Sequence, residues 1–264
     1  MPSMWENFEI DCTEYLNRKF GDYASFKHMG RSDSTIPDIK VTTKSGNVFY
    51  IEAKHCPAQC GQFVLLPDIA KRTFIYSPLN TTPKNTYAEQ IIKHMNAQFD
   101  EFKEAGTSGK DIIMNNGSEI FSNWIIDTYR NKGVCYFITN NYTIFPIERF
   151  SEYFNVSAKY RVKRSGSSHV GKSNIPNILS YIKSQGYDIK STRIEGGKLF
   201  VVLAESLHNQ RFILNGYEYM FSLRDSEYEI RKLSNTFNAN VIFSIDLTAN
   251  KSGIGTEEFI RALL

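Results

Sequence analysis

The chain lacks any apolar run near the roughly 20 residues that a membrane-spanning helix needs, which excludes a helical membrane protein. Its first residues, Met1-Pro2-Ser3-Met4-Trp5-Glu6, have neither the basic start nor the apolar stretch of a secretory leader. Cysteine is scarce. The four residues Cys12, Cys56, Cys60 and Cys135 are irregularly spaced. That argues against a disulfide-framed scaffold and for free thiols in a reducing, intracellular compartment. His55-Cys56 and Cys60 lie close together, but a structural zinc site needs four ligands, and the remaining cysteines are far away in sequence. No Gly-x-Ser-x-Gly elbow is present, which argues against the serine-hydrolase class. There is also no internal repeat and no low-complexity segment.

What remains is an ordinary globular composition with an uneven charge distribution. The 264 residues suffice for one large domain, or for a core with a second lobe. Aromatics are plentiful, with 15 tyrosines and 19 phenylalanines. They serve equally a well-filled core or a surface that stacks on bases. The formal charge is only +3, yet residues 157–198 hold nine basic residues against Asp188 and Glu195. A basic stretch on a near-neutral chain points to a local polyanion contact, the alternative being a solvated face.

Periodicity predicts the elements. Trp5, Phe8, Cys12, Tyr15, Leu16 and Phe20 repeat at helical spacing, and Gly21 stops the helix. Ile36 to Thr43 and Asn47 to His55 read as strands joined by a tight Lys44-Ser45-Gly46-Asn47 turn. A polar stretch with three prolines, Pro67, Pro78 and Pro83, surrounds short apolar runs up to Thr86. Tyr87 to Ala105 and Ser118 to Lys132 read as helices, the second capped by Ser118 and ended by Gly133. Val134 to Thr139 is a buried strand, followed by a strand at Tyr142 to Pro146 and a short helix through Tyr153. Later come a helix from Ile175 to Gln185, several strands including Lys198 to Glu205, Gln210 to Leu214 and Val241 to Leu247, and a closing helix from Thr256. The expected fold is α/β: a central mixed β-sheet flanked by helices over residues 1–155, then an α+β region over 156–264.

Within the predicted hairpin sits a chemical constellation. Side chains alternate faces along a strand, so Glu52 and Lys54 project side by side while Ile51 and Ala53 face the other way. Asp38, after Pro37, lies at the start of the partner strand, where the hairpin brings its carboxylate near Glu52. Two carboxylates supply hard oxygen ligands of the kind Mg²⁺ takes. Such an ion withdraws charge from a phosphodiester and lowers the pKa of a water, and a lysine stabilises the negative charge that develops. The alternative is an amphipathic hairpin with surface charges. Pro-Asp or Glu-x-Lys alone would be weak, but their joint placement points to metal-assisted phosphodiester hydrolysis.

Phe8-Glu9, Tyr15-Leu16, Gly30-Arg31-Ser32, Pro37-Asp38-Ile39 and Ile51-Glu52-Ala53-Lys54 together resemble the PD-(D/E)xK nuclease superfamily. That superfamily includes many type II restriction endonucleases and the archaeal Holliday-junction resolvases. The resemblance covers about Trp5 to His55. It implies a restriction-endonuclease-like core, Mg²⁺ bound by Asp38 and Glu52, and Lys54 assisting the attacking water. It also implies a glutamate from the first helix, with Glu9 fitting best and Glu6 and Glu14 as rivals. Ser32 or Ser34 would touch the phosphate of the scissile strand. The implied substrate is double-stranded DNA, the implied assembly a homodimer matching a palindrome, and the implied setting the cytoplasm of a prokaryote with restriction-modification. A structure-selective nuclease of the resolvase type shares the same site. However, about 110 residues beyond the core favour added recognition machinery.

The basic stretch has two readings. Gly166-Ser167-Ser168-His169-Val170-Gly171-Lys172-Ser173 matches the phosphate-binding pattern G-x-x-x-x-G-K-[ST]. Against it, the preceding Lys159-Tyr160-Arg161-Val162-Lys163-Arg164 alternates basic residues where a buried strand belongs, and Pro176 delays the helix. The favoured reading is a DNA-contacting strand and loop. Arg161, Lys163, Arg164, Ser165, Ser167, Ser168, Lys172 and Ser173 would act there as donors to phosphates and base edges. A DNA-binding module with a dead nuclease core is the non-enzymatic alternative, disfavoured because all three chemical residues are present.

Overall fold

A computed structural model describes residues 4–29, 36–164, 166–248 and 252–264. The chain forms two compact units, Met1–Arg161 with Ala239–Leu264, and Val162–Asn238. The first unit opens with helix α1 (Met4–Phe20) and strands β1 (Ala24–His28), β2 (Ile39–Thr43), β3 (Val48–Lys54), β4 (Ala58–Asp68) and β5 (Thr73–Tyr76). Helices α2 (Thr86–Ala97) and α3 (Phe99–Lys103), strand β6 (Lys110–Asp111) and helix α4 (Gly117–Arg130) follow. Then come β7 (Val134–Thr139), β8 (Thr143–Pro146), α5 (Phe150–Tyr153) and β9 (Phe154–Arg164). The second unit holds β10 (Ser167–His169), α6 (Ile175–Ser184), β11 (Ile189–Glu195), β12 (Lys198–Leu203), β13 (Arg211–Leu214), β14 (Tyr217–Arg224) and β15 (Glu227–Leu233). Strand β16 (Phe237–Leu247) and helix α7 (Thr256–Leu263) return to the first unit.

The first unit carries the expected mixed sheet, in the order β1-β2-β3-β7-β8. β1, β2 and β3 are antiparallel, β3 and β7 parallel, β7 and β8 antiparallel. The apolar stripe of α1, Cys12, Leu16 and Phe20, packs with Phe259 and Leu263 of α7 on Ile39, Val41, Ile51 and Ala53. The opposite face meets α4, where Tyr129 lies edge-on to Phe137 at 5.4 Å. A second sheet of this unit runs β5-β4-β16-β9-β6. α4 reaches it too, with Trp124 stacked on Phe243 at 4.4 Å and tilted against Phe63 at 5.5 Å.

β4 and β5 fall within the polar, proline-containing stretch, whose short apolar runs the sequence pattern assigns to no element. Alternation marks β4, with Phe63 and Leu65 buried and Gln62 and Leu66 exposed. A bulge near Cys60 and Gly61 blurs that pattern, since Gln62 pairs with Ile242 but Gln59 pairs with Ser244. Gly61 has φ +92°, and an added Cβ would stand 2.7 Å from a Trp124 ring carbon. We therefore expect Gly61→Ala to destabilise the protein by about 1–3 kcal/mol. A urea-unfolding midpoint equal to that of the wild type would contradict this.

Other elements correct the expectations in detail. The long helix from Tyr87 breaks at Gln98, whose φ of −122° is not helical. α4 starts at Gly117 behind Asn116 in the left-handed conformation, so Ser118 is not its cap. The expected division at residue 155 falls inside β9, which runs unbroken from Phe154 to Arg164. The last 26 residues expected in the second region also fold with the first unit. The physical reason is that β9 and β16 are neighbouring strands of one sheet, so neither can leave it without opening the hydrogen-bond ladder.

The second unit is an antiparallel sheet, β11-β12-β15-β14-β13, with β10 also paired to β15. Ile175, Ile178 and Ile182 of α6 pack on Leu199, Val201, Phe221 and Ile230. No helix among the described residues is long and apolar enough to cross a membrane.

Candidate active site

The constellation read from the hairpin converges in space. The β2–β3 ladder ends at the Ile39–Ile51 pair, which would leave the Ala53 amide open. The Asp38 side chain supplies the acceptor, its Oδ2 taking the Ala53 N–H at 2.9 Å. This fixes the carboxylate beside the strand that carries Glu52 and Lys54. Lys54 Nζ donates to Glu52 Oε1 at 2.5 Å and lies 3.6 Å from Asp38 Oδ2. On α1, Glu9 is buried at 6% exposure and its Oε2 lies 3.1 Å from His28 Nε2. Of its rivals, Glu6 is half-buried and Glu14 exposed.

The electrostatics are those of a negative cluster short of cations. Asp38 is 8% exposed and Glu52 5%. Burial raises the Asp38 carboxyl, and Lys54 and the Ala53 amide only partly offset it. Burial and the neighbouring Asp38 raise Glu52 to about 7 against the pull of Lys54. Burial likewise raises Glu9, opposed by His28 and Lys54. Burial disfavours the charge on Lys54 too, but Glu52 and Asp38 outweigh it and raise its pKa. Asp38 and Glu52 thus share the Lys54 ammonium in a poorly hydrated place, and Glu9 lies near enough to feel its charge.

That donor set fits a hard divalent cation. Among the described residues no group of three His, Cys, Asp or Glu side chains is spaced to hold an ion by itself. Mg²⁺ does not require one, because it keeps several waters and uses one or two carboxylates. Asp38 and Glu52 meet that demand, and a second positive centre would relieve their burial.

Several neighbours had no signal in the sequence. His28 enters through β1, an edge strand recognisable only once β2 is there to pair with it. Beneath Glu52, Tyr129 and the buried Cys60 line the interior, and burial pushes the Cys60 thiol up to about 12. Thr139 Oγ1 donates to Lys54 O at 2.7 Å. Asn140 both accepts from Cys56 N at 2.7 Å and donates to Cys56 O at 2.9 Å. A cleft of about 680 Å³ opens on the site, lined by Phe8, Glu9, Lys54, His55 and Gln59 among others. Gln59 also lines a cleft of about 410 Å³ with Ser157, Lys159, Arg161 and Ser244. All four cysteines are free thiols.

The remaining expected residues scatter. Ser32, Ser34 and Ser165 lie outside the described residues, as does the side chain of Arg164. Arg161 is half-buried on β9 of the first unit, and its Nε lacks a partner. Lys163, Ser168, Lys172 and Ser173 are exposed. Ser167 is held by Arg231, whose Nε donates to its Oγ at 3.1 Å and Nη2 to its carbonyl at 2.8 Å. The Gly166–Ser173 motif does not fold as a phosphate-cradling loop. Ser167–His169 forms a strand antiparallel to β15, and a 3₁₀ turn at Lys172–Asn174 separates the lysine from α6.

No protein-family model matches the chain, and no curated protein sequence matches it significantly. Among solved structures the chain is similar to HhaI endonuclease, determined in complex with DNA. The two share 38% sequence identity across 99% of this chain and 99% of that one, with a TM-score of 0.81.

Proposed function

Because the chain belongs to the family of the HhaI endonuclease, we propose that it is a type II restriction endonuclease that cuts double-stranded DNA at a specific sequence with the help of Mg²⁺. The observation that carries the reading is the buried cluster of Asp38, Glu52 and Glu9 beside the Lys54 ammonium, at the wall of an open cleft. Such a surplus of carboxyls costs stability unless a cation and an anionic substrate come to it. The order Pro37-Asp38, Glu52-Ala53-Lys54 matches the PD-(D/E)xK pattern.

In this reading Asp38 and Glu52 hold the ion, and Asp38 is kept in place by the Ala53 amide. The ion, when bound, offsets phosphate charge and makes a water more acidic. Lys54 orients the attacking water and stabilises the charge that develops on the phosphoryl oxygens. Glu9, fixed by His28, faces the same cleft and accepts a proton or a water hydrogen. The products carry a 5′-phosphate and a 3′-hydroxyl.

The duplex runs from Lys54 past Gln59 to Lys159 and Arg161. Arg161 and Lys159 line that second cleft, and their cationic groups are the proposed donors to phosphates or base edges. On the second unit, the exposed Lys163, Ser168, Lys172 and Ser173 are proposed phosphate contacts. The proposed homodimer is read by sedimentation with and without DNA.

Incubation with plasmid DNA and Mg²⁺ tests the reading. A reproducible set of discrete fragments is the expected result. Uncut plasmid, or a featureless smear, across varied metal and salt would contradict it.

A further inference from the structure

We propose that the corner Thr139–Tyr142, at the end of β7, is the positioning device of the active site, with Thr139 and Asn140 as positioning residues for Lys54. The proposal rests on the nuclease reading above, and none of these residues need touch DNA or metal.

Side chains of the corner make three hydrogen bonds to the backbone at the end of the reactive strand and just beyond it. β3 and β7 are parallel neighbours, and Lys54 pairs with Thr139 in register. The Thr139 hydroxyl, at 0% exposure, donates to the Lys54 carbonyl at 2.7 Å. Asn140 closes on the next-but-one residue from both sides, accepting from the Cys56 N–H at 2.7 Å and donating to the Cys56 carbonyl at 2.9 Å. β3 has ended by then, so these side chains replace the ladder bonds that the strand no longer supplies. Without them the backbone that aims the Lys54 ammonium at Glu52 and Asp38 would be tethered from one side only.

A second observation is independent of those bonds. Asn141 and Tyr142 both adopt the left-handed conformation, with φ of 58° and 54°. An asparagine tolerates that region, but for a bulky residue such as Tyr142 it is strained, and such strain persists only where the surroundings over-determine it. The surroundings here are the Tyr15 ring of α1, stacked on Tyr142 at 4.3 Å with planes 7° apart. Tyr15 lies on the same helix as Glu9. The corner therefore grips both elements that deliver the site, β3 with Lys54 on one side and α1 with Glu9 on the other. A connection that only turned the chain from β7 to β8 would need neither grip.

The test uses Asn140→Ala, Thr139→Val and Thr139→Ser in the full chain, with supercoiled plasmid and Mg²⁺. Asn140→Ala and Thr139→Val are expected to lower the single-turnover cleavage rate about 10- to 100-fold, the scale of a misplacement near 1 Å. Plasmid affinity measured in EDTA should stay within about twofold of wild type, as expected for residues outside the binding surface. Thr139→Ser keeps the hydroxyl and should restore most of the rate. Amide exchange at Cys56 should accelerate in Asn140→Ala whether or not DNA is cut. If Asn140→Ala does not fold, Asn140→Asp decides. It keeps the acceptor, loses the donor, and should show an intermediate rate. A folded Asn140→Ala or Thr139→Val that cuts at the wild-type rate overturns the positioning proposal alone. A wild type that cuts no DNA overturns the nuclease reading instead.

Discussion

Replacing Lys54 by alanine is expected to lower the DNA cleavage rate by about 10²- to 10³-fold, the loss typical of removing one preorganised group that stabilises transition-state charge. The Lys54 ammonium touches both carboxylates, 2.5 Å from Glu52 and 3.6 Å from Asp38. Its removal takes from Glu52 and Asp38 the cation that pairs with both, so they bind protons more tightly and the site loses its charge balance. Lys54→Arg should not rescue the rate. A planar guanidinium cannot place a single compact charge between two carboxylates at those distances. DNA binding should change little, because the side chain is only 15% exposed and contributes little to the outer surface. Single-turnover cleavage of supercoiled plasmid, alongside gel-shift affinity in EDTA, separates the two effects. A Lys54→Ala enzyme cutting within a few-fold of wild type would remove the lysine from the chemistry.

The second large effect concerns protons and metal. Glu52 is raised from 4.5 to about 7 by burial and by Asp38. Its folded pKa lies above its unfolded one, so the metal-free fold holds this proton more tightly than the unfolded chain does. The resulting stability is fully present below pH 4.5 and is lost as pH rises toward 7, on the order of 3 kcal/mol in all. Metal and proton compete for the same oxygens. Without Mg²⁺ the melting temperature should therefore fall between pH 5 and pH 8, and added Mg²⁺ should recover it most at pH 8. Apparent Mg²⁺ affinity should be about 100-fold weaker at pH 5 than at pH 8, from a single competing carboxyl. Glu52→Gln should flatten the pH dependence to what Asp38 and Glu9 contribute and should weaken the Mg²⁺ response. Equal melting shifts from Mg²⁺ at the two pH values would contradict the account.

The site was more legible in the sequence than the rest of the fold, for a physical reason. Strand alternation is local, so the common face of Glu52 and Lys54 follows from their spacing alone. The same logic located α1, whose Cys12, Leu16 and Phe20 are buried as their spacing requires. What escaped is non-local. β1 exists through its pairing with β2, and β4 through a bulge that interrupts its alternation at Gly61. The division at residue 155 missed because nothing in a linear reading says that β16, some 80 residues on, returns beside β9. His28, Thr139 and Asn140 are ordinary residues until the sheet brings them to Glu9, Lys54 and Cys56. The phosphate-loop pattern at Gly166–Ser173, disfavoured in the sequence by its flanks, illustrates the converse. A short motif is local, but the loop it names depends on a parallel strand and a helix on either side, and here the strand is antiparallel.

The central claim is that a buried carboxyl pair holds a divalent cation and cuts DNA. Strand cleavage by wild type and Asp38→Asn, side by side in Mg²⁺ and in EDTA, tests it most directly. Asparagine can still accept the Ala53 amide through its own oxygen, so the variant keeps the local fold while losing the charge. The account predicts discrete fragments from the wild type in Mg²⁺ and from no other combination. Fragments from the wild type in EDTA, or from Asp38→Asn at the wild-type rate, would contradict it.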